Sequence, residues 1–294
     1  MVSEVQEYLA LERGGFFVDC TFGGGGHSRS FLQNFPNITL VAIDRDPEAE
    51  SRASKFKNEF GDRFEFYSSR FSNLKNLPLK NIDGIFFDFG ISSIQLDDPE
   101  RGFSFKSHSK IDMRMNNSTG IAAYEFLKTA SERDLIEAIR DFGEEKYWKR
   151  IVDCILTNRN SDKIIFADSF AQELEKIIPK DFKSKIHPAT RTFQGIRIAI
   201  NQELQEIHSV LPDAFELLNP NGRIVTLSFH SLEDRIVKQF FNLKSGKAIS
   251  KHEAFIDRPK LAEIITKKVV IPTDEEIKLN PRSRSTKLRA LRKL

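Results

Sequence analysis

Four consecutive glycines, Gly23 to Gly26, lie just after a short apolar run, Phe16-Phe17-Val18-Asp19-Cys20, and this junction constrains the fold more than any other stretch. An apolar run ending in an acid reads as a buried strand. The glycines permit positive φ and close backbone approach, and a helical stretch from Ser28 to about Phe35 follows, closed by Pro36. The rhythm then repeats. Ile38 to Ile43 is a β-rich run ending at Asp44, and Arg45-Asp46-Pro47 opens a helix with proline in its first turn. Phe64 to Tyr67 reads as a third strand and Ile82 to Phe87 as a fourth, ending at Asp88. Near-continuous apolar strands separated by helices predict a parallel sheet covered on both faces, a doubly wound, Rossmann-like α/β domain.

From about Ser104 to Ala189 strand signals stop and helix signals take over. Ser131-x-x-Asp134 has the form of a capping box, and Asp168 is placed to cap a helix carrying Phe170, Leu174, Ile177 and Ile178. A long amphipathic helix is expected from Arg191 to Leu211, a turn at Asn219-Pro-Asn-Gly222, a strand from Arg223 to Phe229, and a helix capped by Ser231-x-x-Asp234. The expected organisation is therefore a sheet domain in two parts, 1–103 and 190–279, an inserted helical substrate-recognition domain at 104–189, and a basic tail at 280–294.

Composition narrows the class without naming a partner. No apolar run approaches the roughly 18 residues of a membrane span, no secretory signal is visible, and Cys20 and Cys154 are too few for a disulfide framework or a cysteine-rich zinc site. A cytoplasmic globular protein is expected. With 45 Lys+Arg against 42 Asp+Glu, the net charge of +3 implies no nucleic acid by itself. Its distribution is uneven, because Arg282, Arg284, Lys287, Arg289, Arg292 and Lys293 crowd the last 15 residues with no acid among them. A solvated tail and a phosphate-contacting arm are equally good readings of that segment.

Ligands of open parallel sheets bind beyond the carboxyl ends of the strands, where the glycines, Asp44 and Asp88 fall. A glycine turn leading into a helix, with a carboxylate closing the next strand to accept ribose hydroxyls, points to an adenine-nucleoside cofactor. The third position of a dinucleotide fingerprint, counted from Gly23 and Gly25, is Ser28 instead of glycine, and Asp19 precedes the turn. A carboxylate there suits an ammonium group and would repel a pyrophosphate, which favours S-adenosyl-L-methionine over a dinucleotide.

The motifs also occur in a familiar order. Asp19-Cys-Thr-Phe-Gly-Gly-Gly-Gly-His27-Ser28, Ala42-Ile-Asp44-Arg-Asp46-Pro, Asp83-Gly-Ile-Phe-Phe-Asp88-Phe-Gly-Ile-Ser-Ser-Ile-Gln95 and Arg101-Gly-Phe-Ser-Phe come first. Asp112-Met-Arg-Met, His187-Pro-Ala-Thr-Arg-Thr-Phe-Gln194, Ser228-Phe-His-Ser-Leu-Glu-Asp-Arg235 and Asn280-Pro-Arg-Ser-Arg-Ser285 complete the series. Together they resemble the bacterial 16S rRNA cytosine-N4 methyltransferases of the RsmH (MraW) type over nearly the whole chain. The resemblance implies an S-adenosylmethionine fold with an inserted helical domain, and methylation of a decoding-centre cytidine in 16S rRNA of the small ribosomal subunit. It implies that Gly25, Gly26, His27, Asp44, Phe71, Asp88 and Gln95 line the cofactor site. Monomer and homodimer are both left open. Members usually carry a His-x-Pro-Val-Leu segment ahead of the pair matched here by Glu4-Val5, so a truncated or misassigned start is expected; Phe89 and Ile94 replace the more usual Leu and Pro or Thr. Other readings of the chain are a non-catalytic rRNA-binding assembly factor and a methyltransferase of the same fold on another substrate.

Each candidate residue also has an ordinary structural explanation. Asp88 could cap a turn, but among cofactor ligands it is the best-placed acceptor for the poorly nucleophilic exocyclic amine of cytosine, and so the candidate catalytic residue, though it could equally bind only cofactor. His27 could simply start a helix, with no second His or Cys at ligand spacing to suggest a metal. His230 could be a strand-end residue or lie near the substrate, and no G-x-S-x-G elbow supports a hydrolase. With 26 phenylalanines in the chain, Phe71 and Phe103 default to core, and only the resemblance lifts Phe71 toward stacking on adenine. Arg101, Arg114, Arg191 and Arg197 could hold phosphates or internal carboxylates.

Overall fold

The computed structural model describes residues 1–179, 186–248 and 258–294. Its chain divides into two compact units, Met1–Gly90 with Leu204–Leu294, and Ile91–Glu203.

The first unit is built on a seven-stranded sheet in the order β3-β2-β1-β4-β5-β7-β6. Its strands are β1 (Gly15–Asp19), β2 (Ile38–Asp44), β3 (Phe64–Ser68), β4 (Ile82–Asp88), β5 (Leu218–Ser228), β6 (Ala262–Ile264) and β7 (Lys287–Lys293). The first five are parallel, in register Val18↔Val41, Leu40↔Phe64, Val18↔Ile85 and Asp88↔Leu227. Helices α1 (Val2–Leu9), α2 (Gly26–Asn34) and α3 (Glu48–Phe60) precede β4. Two apolar clusters complete the core. One joins Val18, Ile43, Phe87, Ile224 and Val237, and the other joins Phe17, Leu32, Phe56, Phe86 and Leu227. Successive residues of β4, Phe86 and Phe87, enter different clusters, as expected of a sheet buried on both faces.

Two expectations about this unit are corrected. The sheet is mixed, because β7 runs antiparallel between β5 and β6. The segment read as a basic tail therefore supplies an internal strand. Its sequence alternates, so that Leu288 and Ala290 are fully buried while Lys287 and Arg289 project to the other side. Its charges have partners inside the fold. Arg289 makes two bonds to Asp234 (2.7 and 3.2 Å), Arg292 meets Glu263, and Lys293 Nζ donates to the carbonyls of Phe215 and Leu218.

The second unit is helical, with α4 (Ser93–Asp97), α5 (Ala123–Thr129), α6 (Glu132–Ile136), α7 (Trp148–Thr157), α8 (Ala167–Ile177) and α9 (Thr190–Asn201). It has its own core around Ile111, Leu135, Ile139, Ile151, Phe170 and Ile196. Ser131 caps α6 as expected, whereas Asp168 does not cap α8: Phe166 holds that position, and the Asp168 carboxylate accepts from Ser169 N and contacts His108. The unit also extends beyond the expected 104–189, starting at Ile91 and taking in α9. Gly195 explains part of that. A Cβ there would sit 2.0 Å from Ala138 O and 2.8 Å from Gly143 N, so α9 is packed backbone to backbone against the π-helical stretch Glu137–Phe142 and the residue after it. The long helix expected from Arg191 to Leu211 is broken at Gln202, which takes a left-handed conformation (φ 55°), and α10 (Glu203–Leu217) begins anew. Asn201 accompanies the break: its buried side chain accepts from Met115 N and donates to Met113 O.

After β5 the first unit resumes with α11 (Ser231–Lys244), and α12 (Asp274–Leu279) precedes β7. The α11 cap differs from the expected one. His230 is the capping residue, and Glu233 reaches back so that Oε2 accepts from Phe229 N (2.7 Å) and His230 N (3.3 Å). Among the described residues no helix is long and apolar enough to cross a membrane.

Candidate active site at the carboxyl edge of the sheet

Strand order reverses between β1 and β4, so the carboxyl ends of these two strands flank a topological switch point, where open α/β sheets bind ligands. The Asp19–Gly26 turn and Asp88 both lie there. Gly25 is required by the backbone: its φ is 76°, and a Cβ would meet the Phe56 ring at 2.5 Å. Gly26, the first residue of α2, has nothing within 4 Å of a Cβ position, so the helix N-terminus is open on that side.

A hydrogen-bonded chain fixes the turn. Ser28 Oγ donates to Asp19 Oδ2 (2.7 Å), Thr21 N donates to Asp19 Oδ1 (3.0 Å), and Asp88 N donates to Thr21 Oγ1 (2.7 Å). Asp19 is only 1% exposed, and its two oxygens brace the turn through Thr21 N and Ser28 Oγ. Burial, countered in part by these bonds, raises its pKa to about 6. Ser28, read as a departure from a dinucleotide fingerprint, turns out to be the hydroxyl partner of this buried acid.

Asp44, at the end of β2, accepts from Gly23 N through Oδ2 (2.6 Å) and from Asp46 N through Oδ1 (2.8 Å). Burial raises its pKa despite those bonds. Each oxygen keeps a lone pair, so the carboxylate can still accept two hydroxyl donors. Phe71 follows β3 and is half-buried, its ring 5.9 Å from Phe87 and 6.0 Å from Phe89.

Asp88 is 30% exposed at its side chain, and burial, assisted by the nearby Asp19 and Glu233 carboxylates, pushes its pKa up to about 7; the Met1 ammonium opposes this. Its Oδ1 is buried with no hydrogen-bond partner among the described residues. Oδ2 lies 3.6 Å from His27 Nδ1, and the His27 ring packs 4.8 Å from Phe86. Burial lowers the His27 pKa to about 4, so the ring is neutral at pH 7, and its Nε2 is also buried with no partner among the described residues.

Gly25, Gly26, His27, Asp44, Phe71 and Asp88 thus all belong to the sheet unit, at or just past the carboxyl ends of β1 to β4. Gln95 belongs to the helical unit. There its Oε1 accepts from Ser92 N to cap α4, and its Nε2 donates to Met115 O.

A profile described as the MraW methylase family matches residues 1–294. The chain belongs to that family. The protein named ribosomal RNA small subunit methyltransferase H of Rickettsia bellii (strain OSU 85-389) is 42% identical to this MraW methylase over 300 residues, covering 100% of this chain and 97% of the relative. The protein of the same name from Ehrlichia ruminantium (strain Welgevonden) is 40% identical over 300 residues, covering 100% and 98%.

The arginines left open by sequence serve inside this MraW methylase. Arg197 forms a two-pronged pair with Glu203 (2.8 and 2.9 Å), Arg114 does the same with Asp112 (2.9 and 2.7 Å), Arg101 donates to the carbonyls of Arg114 and Met115, and Arg191 donates to Glu144 O. Sequence reasoning missed Thr21 and Glu233. A hydroxyl two residues after Asp19 was the only available sign of the first, and the second was hidden because Asp234 looked like the better cap.

Proposed function

We propose that this MraW methylase transfers a methyl group from S-adenosyl-L-methionine to N4 of a decoding-centre cytidine in 16S rRNA of the small ribosomal subunit, acting in the cytoplasm. One observation carries the reading. The switch point of a methylase-family chain presents two buried polar atoms that have no partner among the described residues, Asp88 Oδ1 and His27 Nε2, beside an open helix N-terminus at Gly26. Buried polar atoms are normally paired, so an unsatisfied cluster marks a place that a polar ligand completes.

The residues present fit S-adenosylmethionine. Asp44 would accept the ribose hydroxyls, Phe71 would offer its exposed face to adenine, and the Gly25-Gly26-His27 turn would lie along the amino-acid portion. When bound, the cofactor supplies an electrophilic methyl carbon on a sulfonium centre. Asp88 would accept a hydrogen bond from the cytosine amine, whose lone pair is otherwise delocalised into the ring, and orient it for in-line attack. The positively charged sulfonium would also draw the Asp88 carboxyl toward its ionised form.

Radiolabelled methyl transfer to small subunits from a strain lacking the activity tests the reading. Label mapped to N4 of a decoding-centre cytidine is the expected result. Cofactor binding without transfer would favour a non-catalytic assembly factor, and label elsewhere would favour another substrate.

A further inference from the structure

The chain leaving β5 adds chemistry that the cofactor site does not use. Phe89 N donates to Leu227 O (3.1 Å), and Asp88 pairs with Leu227 in register, so the residues just beyond β5 leave the sheet beside the end of β4. His230 lies three residues past Leu227. Its side chain is 8% exposed and Nε2 stands 3.0 Å from Glu233 Oε1, a charge contact without hydrogen-bond geometry, so Nδ1, Nε2 and that Oε1 are all buried with no hydrogen-bond partner among the described residues. Glu233 is completely buried and is anchored through its other oxygen on the backbone N–H groups of Phe229 and His230. A carboxylate fixed in this way favours the proton on the nitrogen that faces it, which leaves the opposite nitrogen a bare acceptor.

Two acceptors with no partner among the described residues, Asp88 Oδ1 and His230 Nδ1, therefore stand at the ends of adjacent strands, and an exocyclic amine carries two N–H groups. Resting on the cytosine-N4 reading above, we propose that His230 Nδ1 accepts the proton displaced from the amine, with Glu233 as the positioning residue that keeps Nε2 protonated. The step balances as follows: the N4 lone pair forms the new N–C bond, the electron pair of the broken C–S bond stays on sulfur, and the surplus N4 proton passes to Nδ1. The imidazolium is held against Glu233 until it releases the proton to water. Asp88 keeps the second N–H and orients the amine.

His230→Gln keeps a donor facing Glu233 and deletes the Nδ1 acceptor. Single-turnover methyl transfer to small subunits should fall roughly 10²–10⁴-fold, the usual range for a lost general base, while the S-adenosylmethionine dissociation constant stays within about threefold. A second measurement requires no turnover. ¹⁵N-imidazole NMR of the wild-type protein should show His230 protonated on Nε2 and bare on Nδ1, and Glu233→Gln, which preserves the backbone acceptor, should abolish that preference. Wild-type transfer rates in a folded His230→Gln protein, or a proton on Nδ1 in the wild type, would overturn the proposal. A wild-type protein that methylates no cytosine amine would instead overturn the substrate reading on which it rests. If the glutamine variant does not fold, the tautomer measured in the wild type and in Glu233→Gln decides.

Discussion

Asp44 and Asp88 are both strand-end carboxylates with raised pKa values, yet their surroundings assign them different work. Asp44 already organises the turn through Gly23 N and Asp46 N, and its remaining lone pairs suit two hydroxyl donors. Asp44→Ala should weaken S-adenosylmethionine by about 1.5–3 kcal/mol, as for hydrogen bonds to a charged group, or roughly ten- to a hundredfold in Kd by calorimetry. Unchanged affinity in a folded variant would remove Asp44 from the site. Asp88 has a folded pKa of about 7 against an ordinary 3.8, so the folded protein holds that proton more tightly than the unfolded chain does. Its contribution to stability is complete below the ordinary value and is lost as pH rises from about 4 through about 7. Asp88→Asn carries no such charge. Its stability relative to the wild type should therefore climb between pH 5 and pH 8, by about 1–2 kcal/mol once screening by water at the partly exposed side chain is allowed for. Denaturant titrations at those two pH values would show it, and a pH-independent difference would mean that Asp88 ionises as an ordinary carboxyl. Methyl transfer should fall in the same variant, which would make the site a place where stability is sacrificed to chemistry.

At the level of elements, strands β1 to β4 were legible because each is a continuous apolar run closed by an acid or a turn, and the same pattern located Asp44 and Asp88. The glycine turn was legible because Gly25 has no substitute at its φ of 76°. Two things were not. The break between α9 and α10 rests on Gln202 adopting a left-handed conformation and on Asn201 being drawn into the Met113–Met115 backbone, both tertiary effects that helical spacing does not carry. The C-terminal strand was masked by charge. Six basic residues suggested an arm, although Leu288 and Ala290 alternate with Lys287 and Arg289 as a strand requires. Removing the chain after Leu279 should consequently destroy cooperative folding, because it takes away an internal strand and the buried Leu288, Ala290 and Leu291. A gentler probe is Leu291→Ala at a fully buried position, with an expected loss of about 2–5 kcal/mol in urea unfolding. A truncated protein that still bound cofactor with a wild-type melting curve would contradict the strand assignment.

Across the whole molecule, the relation between charge and RNA changes once four of the six C-terminal cations have internal partners. Lys287, Arg289, Arg292 and Lys293 are held by Asp234, Glu263 and backbone carbonyls, so they are poor candidates to release phosphate counterions. Exposed cations remain on the helical unit, where Lys146, Lys149 and Arg150 follow one another at the start of α7. They flank the exposed Tyr147 and the half-buried Trp148, whose ring lies 5.4 Å from Lys149 Nζ. Cations interleaved with aromatic faces suit a single-stranded or splayed RNA segment, with the backbone neutralised and bases free to stack. Each neutralised phosphate of a single strand contributes about 0.7 to the slope of log affinity against log salt, so replacing all three cations with glutamine should flatten that slope by roughly two units. Phosphate contacts position without choosing a base, so the methylated nucleotide should not change. Arg292→Gln serves as the matched control, expected to leave the slope intact while weakening the pairing with Glu263. Binding to small subunits titrated at several salt concentrations would measure both variants, and a flattened slope in the Arg292 variant alone would return the electrostatic contact to the C-terminal strand.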